Sequence, residues 1–82
     1  PLTTERRVSF TKLVRDRVES ARVTLKGVRE ETKNSIIETE RDGEMSEDEK
    51  TRSLEDLQKF VDEANNNLES IGAKKEKDIM GE

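Results

Sequence analysis

The sequence predicts an all-α protein: an antiparallel hairpin of two long helices that forms part of a three-helix bundle. Apolar residues recur at steps of three and four along both halves of the chain, which is typical of amphipathic helices. No proline interrupts the chain after Pro1. Of the 82 residues, 44% are charged and only 28% are apolar. Such a thin core is marginal for a chain of this size, so buried surface is expected from a further helix or a partner.

The first helix is expected to begin with Thr3 or Thr4 as its N-cap and to run from about residue 4 to 41. Glu5 lies in its first turn, where the helix dipole favours an acid. Its apolar stripe consists of Phe10, Val14, Val18, Ala21, Leu25, Val28, Thr32 and Ile36. Residues at these spacings share one face, so this helix is expected to have one buried side.

The chain is expected to reverse at about residues 42–45, where Gly43 can adopt the left-handed conformation that ends a helix. Ser46 and Glu49 have the spacing of a capping box at the start of a second helix, expected over about residues 46–78. Its stripe of Leu54, Leu57, Val61, Ala64, Leu68 and Ile71 has heptad spacing. Because the connection is short, the two helices are expected to lie antiparallel.

A third helix is expected because two facing stripes would leave Leu13, Ile37 and Phe60 poorly covered. This sequence does not supply it. The chain begins with Pro1 rather than Met, and we interpret it as a piece of something longer. By itself the hairpin is expected to associate with a second copy, giving a four-helix arrangement.

Composition also restricts the function. The chain has no Cys and no His, so disulfides, thiolate metal sites and the usual general base are missing. No enzyme, cofactor or metal site is therefore expected. Apolar runs never exceed two residues, so we predict no membrane segment and no signal peptide, and we expect a soluble, cytoplasmic protein. With no Trp or Tyr and two Phe, stacking on single-stranded bases is also disfavoured.

The charges are distributed unevenly along the chain. Residues 1–37 carry nine basic and five acidic side chains, a net charge of +4, whereas residues 38–82 carry seven and fifteen, a net charge of −8. At about 100° per residue, six cations of the first helix share an arc of about 100° beside its apolar stripe. This basic ridge consists of Arg7, Arg15, Arg22, Lys26, Arg29 and Lys33. The ridge is either a solvated face whose cations pair with acids of the second helix, or a surface that binds phosphates of folded RNA.

Residues 38–49 have some features of a calcium-binding EF-hand loop. The oxygen ligands would come from Glu38, Glu40, Asp42, Ser46 and Glu49, with Gly43 at the turn. The first position of such a loop favours Asp over Glu, and the flanking helices are too long and too poor in aromatic residues. A turn flanked by capping acids is therefore the favoured interpretation.

Six short segments of the sequence form a recognisable combination: the opening Pro-Leu-Thr-Thr-Glu-Arg-Arg, Ala21-Arg22-Val23, Val28-Arg29, Met45-Ser46-Glu47-Asp48, Gln58-Lys59 and Lys75-Glu76-Lys77-Asp78-Ile79-Met80. With these segments at this spacing, the sequence resembles the C-terminal portion of ribosome recycling factors over essentially all of its residues. The resemblance implies a three-helix bundle whose first helix, with a small β-rich second domain, lies outside this sequence. It also implies a factor that binds large-subunit ribosomal RNA and, with elongation factor G and GTP, splits ribosomes after termination.

The resemblance implies particular RNA contacts on the first helix. Arg7 and Arg29 match arginines of the family motifs, and Lys26 stands where the family has an arginine. Glu30 departs from the pattern, since the family usually has a second arginine there. The expected function is thus that of a recycling factor. The alternatives are a structural coiled-coil interaction module without a nucleic-acid role and a calcium-binding hairpin.

Overall fold

The protein is a hairpin of two long helices in a computed structural model that describes residues 2–81. Helix α1 spans Thr4–Arg41 and helix α2 spans Glu47–Met80. The helices pack antiparallel in a rod of 60 × 17 × 10 Å. These observations confirm the predicted all-α hairpin.

Side chains and glycines at the helix ends explain where each helix starts and stops. Thr3 is the N-cap of α1, and its hydroxyl accepts a hydrogen bond of 3.2 Å from the Arg6 amide. The predicted capping box opens α2, because the Ser46 hydroxyl accepts from the Glu49 amide at 3.1 Å and the Glu49 carboxylate accepts from the Ser46 amide at 3.2 Å. Gly43 has a φ of 79°, as the prediction of a left-handed turn requires.

Helix α2 ends two residues later than the sequence predicted, at Met80 rather than about residue 78. Gly81, which the sequence-based prediction did not use, closes the helix in the left-handed conformation with a φ of 77°. Ile79, one of the two added residues, is half-buried. Packing of this side chain and the glycine cap together account for the longer helix.

The core between the helices is thin. Among the described residues Val61 is the one buried apolar side chain, at 6% exposure. Most other stripe residues are half-buried, but Phe10, Val28 and Ile71 are exposed. The expectation that Ile37 would be poorly covered was wrong, since this residue is half-buried.

The connection folds back beside the last turns of α1, where the Glu44 amide donates to the Thr39 carbonyl at 3.0 Å.

An apolar groove runs along one side of the seam between the helices and has a volume of about 480 Å³. Phe60, at 59% exposure, and Leu13, at 47%, are poorly covered, as the sequence predicted. The groove is lined mainly by Ala21, Val28, Phe60, Ala64, Leu68 and Ile71. The hairpin therefore has an apolar groove, between residues 21–28 of α1 and 60–71 of α2, that its own two helices do not cover.

The two glycines inside the helices lie in opposite environments, which predicts opposite effects of substitution. At Gly27 a methyl group would meet no atom within 4 Å, whereas at Gly72, which is buried, it would lie 3.0 Å from Cγ2 of Val18. Gly27→Ala is expected to raise the free energy of unfolding by about 0.5–1 kcal/mol, because alanine is the better helix former. At Gly72 the added methyl group is expected to crowd Val18, a stiff, β-branched side chain. This crowding should lower the free energy of unfolding by about 1 kcal/mol or more and so offset the gain in helix propensity.

Urea unfolding of the two variants at one fixed protein concentration measures this difference. Equal stabilisation by both substitutions would contradict the close packing of α2 on Val18.

Candidate nucleic-acid interface

The basic ridge lies on the other side of the helix seam from the apolar groove. Along α1, Arg22 and Arg29 directly follow Ala21 and Val28, which line the groove, and are therefore rotated from them by about 100° around the helix. On α2 the residues that accept hydrogen bonds from the ridge are Asn65, Glu76 and Met80. The hairpin thus has the apolar groove on one side of the seam and the basic ridge of α1 on the other, where Glu69 and Glu76 of α2 face the ridge.

Three ridge cations contact α2. Arg7 is half-buried, and its Nη1 donates to the Met80 carbonyl at 3.5 Å. The Nε of Arg15 donates to the Glu76 carboxylate at 2.6 Å, and the Nη1 of Arg22 donates to the Asn65 side-chain oxygen at 3.1 Å. This end of the ridge therefore helps to join the two helices. The interpretation that ridge cations pair with acids of the second helix holds for Arg15.

The other three cations, Lys26, Arg29 and Lys33, are not bound to α2 in the described part of the chain. Lys26 and Lys33 are exposed and make no ion pair among residues 2–81. The Arg29 side chain is 38% exposed. Together with Arg22, Lys26 and Arg29 line a shallow depression of about 310 Å³ between the helices. We call Lys26, Arg29 and Lys33 the free cation row.

The free cation row has the chemistry of a phosphate-binding surface. Its length along α1 is about 10 Å at 1.5 Å per residue, a distance over which one strand of a duplex presents about three phosphates. Arg29 can form two parallel hydrogen bonds with one phosphate, and each lysine adds a point charge. Contacts of this kind recognise the backbone of a folded nucleic acid and require no aromatic side chain.

One acid reaches into the free cation row from its edge. An oxygen of the Glu30 carboxylate lies 3.8 Å from Nη1 of Arg29. At about 100° per residue, Glu30 falls outside the arc of the basic ridge, so helix geometry alone does not place an acid in the ridge. The signal that could have shown this proximity is the spacing of Glu30 from Lys26 and Lys33, four residues before it and three after it, since residues at those spacings are neighbours on a helix.

The structure does not support the EF-hand interpretation of residues 38–49. Glu40 is ion-paired with Lys50 at 3.3 Å, and Ser46 and Glu49 are engaged in the capping box. Glu38 lies within α1. Over residues 2–81, no group of three or more acidic, His or Cys side chains is arranged to hold a metal ion.

Within residues 2–81, neither α1 nor α2 contains an apolar segment with the length and low charge of a membrane-spanning helix.

Comparison with protein families matches residues 1–80 to the family described as ribosome recycling factor. A ribosome-recycling factor of Bacillus licheniformis is 41% identical over 80 residues, and one of Chloroflexus aggregans is 40% identical over 80 residues. Both alignments cover 98% of this chain and 43% of the relative. A ribosome-recycling factor of Roseiflexus castenholzii is 42% identical over 79 residues, which are 96% of this chain and 43% of the relative.

The chain thus spans less than half the length of the curated relatives that it matches. No solved structure matches it.

Proposed function

Since the chain belongs to the ribosome recycling factor family, we propose that the complete protein binds large-subunit ribosomal RNA and, with elongation factor G and GTP, splits ribosomes after termination. In this role the protein is a non-enzymatic translation factor of the cytoplasm. It acts by occupying a place on the ribosome, and the hairpin supplies the RNA-binding surface of the factor.

The observation that carries this proposal is the free cation row. Its three side chains make no hydrogen bond or ion pair with α2 in the described chain, whereas Arg7, Arg15 and Arg22 each donate a hydrogen bond to that helix. This chain, with a net charge of −4, has no general attraction for RNA, so RNA binding by the hairpin depends on a local basic surface. We therefore assign the principal phosphate contacts to the free cation row and supporting contacts to Arg7, Arg15 and Arg22.

The apolar groove supports the proposed architecture of the complete protein. We propose that a third helix of the same protein lies in it and completes a three-helix bundle. Phe60 and Val28 would then be buried between three helices, on the side of the hairpin that the RNA does not occupy.

The two alternative functions gain no support. The family match does not favour a coiled-coil interaction module without a nucleic-acid role. The calcium-binding hairpin lacks a suitable group of ligands among residues 2–81.

A splitting assay tests the proposal. Light scattering of post-termination ribosomes should fall when the complete protein, elongation factor G and GTP are added. Removing the free cation row by alanine substitution at its three positions should abolish the decrease. The matched control replaces three exposed cations of α2 by alanine, with the same change of charge; these are Arg52, Lys59 and Lys74.

The control variant should split ribosomes as the unmodified protein does. If both triple variants are equally active, or equally inactive while remaining folded, the free cation row is not the ribosome-binding surface.

A further inference from the structure

We propose that Glu30 is a built-in competitor for RNA phosphate at Arg29, and that it limits how tightly the free cation row binds RNA. This inference rests on the proposed function, because it concerns the surface that we assign to RNA binding. The proposed function names residues that provide affinity for RNA. The inference names one residue that lowers this affinity.

Glu30 contacts Arg29 and is a neighbour, by helix spacing, of the other two members of the free cation row. Its carboxylate lies 3.8 Å from Nη1 of Arg29. Adjacent residues on a helix point about 100° apart, so the two side chains must lean toward each other to make this contact. Lys26 and Lys33 lie four residues before and three residues after Glu30, at the spacings where helix side chains are neighbours.

A carboxylate and a phosphate compete for the same donors. Both present oxygen pairs that a guanidinium can bind through two parallel hydrogen bonds. The Glu30 carboxylate lies 3.8 Å from Nη1 of Arg29, an ion-pair rather than a hydrogen-bond distance, so it competes with an incoming phosphate through its charge and does not occupy the guanidinium fork. Bound phosphate would also lie close to the negative charge of Glu30, which lowers affinity further.

The Arg29–Glu30 pair is weak enough to be displaced. The side chains are 38% and 49% exposed, and ion pairs at such positions contribute little to stability because water screens them. Glu30 therefore does not block the surface. An RNA backbone whose neighbouring phosphates are held by Lys26 and Lys33 can displace it at Arg29, whereas a phosphate that meets Arg29 alone gains less. The expected consequence is weaker binding to RNA that cannot engage the whole row.

Neutralising Glu30 without changing its shape is the direct test, and Glu31 provides a matched control. Glu31 is the next residue, is exposed, and lies nearly opposite Arg29, about 200° around α1. Glu30→Gln and Glu31→Gln alter the net charge of the complete protein equally. We expect Glu30→Gln to tighten binding to a short duplex RNA by about twofold to fivefold relative to Glu31→Gln. The slope of affinity against salt should also steepen by up to about one unit.

A double-mutant cycle separates competition at Arg29 from a general effect of charge. In an Arg29→Ala background, Glu30→Gln should tighten RNA binding no more than Glu31→Gln does. A gain that is fully retained without Arg29 would overturn the proposed competition, as would equal effects of the two glutamine substitutions in the presence of Arg29.

A parallel measurement with large ribosomal subunits distinguishes failure of this inference from failure of the proposed function. If Glu30→Gln tightens binding to duplex RNA in the Arg29-dependent way, but the protein does not bind large subunits, the inference holds and the proposed function is wrong. If the protein binds large subunits but the two glutamine variants behave alike, the proposed function holds and the inference is wrong. Absence of binding to either RNA would overturn both.

Discussion

Replacing Arg29 by alanine is expected to weaken binding of the complete protein to large ribosomal subunits by about tenfold to a hundredfold. The guanidinium lies between Lys26 and Lys33 on α1, and within the described chain its sole ion pair is the weak contact with Glu30. A charge-assisted hydrogen bond of this kind contributes about 1.5–3 kcal/mol, which corresponds to that loss of affinity. A single substitution at Arg29 should therefore reduce the affinity for large subunits more than one at any other ridge position.

Filter binding or light scattering with large subunits across a salt series measures this effect. Loss of one phosphate contact should reduce the slope of log affinity against log salt by about one unit. Arg7→Ala should cost less, because the Arg7 side chain is half-buried and directed toward the Met80 carbonyl of α2. Arg52→Ala is the control, because Arg52 is exposed on α2 and its substitution removes the same charge.

Equal losses for Arg29→Ala and Arg52→Ala, or an unchanged salt slope for Arg29→Ala, would contradict the assignment. The free cation row would then be an ordinary solvated face, and the interaction-module interpretation would be favoured.

By itself, the 82-residue chain is expected to form a dimer at micromolar concentration by pairing two apolar grooves. Phe60, Val28 and Ile71 are exposed in the hairpin, and burying a large apolar side chain contributes about 1.5–3 kcal/mol. Phe60→Ser should therefore weaken the dimer by about tenfold or more. Sedimentation over a range of concentrations measures the oligomeric state.

Val23→Ser is the matched control for the dimer. Val23 is 63% exposed, close to the value for Phe60, but it does not line the groove. This substitution should leave the dimer intact. A well-folded monomer with a sharp thermal transition would contradict the argument that the groove needs a further helix.

The sequence by itself determined the local features of this fold. Thr3, Gly43 and the pair of Ser46 and Glu49 act through hydrogen bonds and backbone conformations within a few residues of themselves, so their roles could be predicted without knowing what packs where. The apolar periodicity likewise fixed the number of helices, and the short connection fixed their antiparallel order. The exposure of Phe60 and Leu13 could be predicted because two facing apolar stripes leave these two residues uncovered.

Only the tertiary structure decided which members of the basic ridge remain available to bind phosphate. A helical wheel assigns all six cations to one arc, but the arc borders the seam, and the alignment of α2 against α1 determines what each cation meets. Arg15 meets Glu76, 61 residues away, and Arg22 meets Asn65, 43 residues away. The same alignment places Val18 against Gly72. Such contacts depend on how two rods are shifted along and rotated about each other, a quantity that periodicity within one helix does not contain.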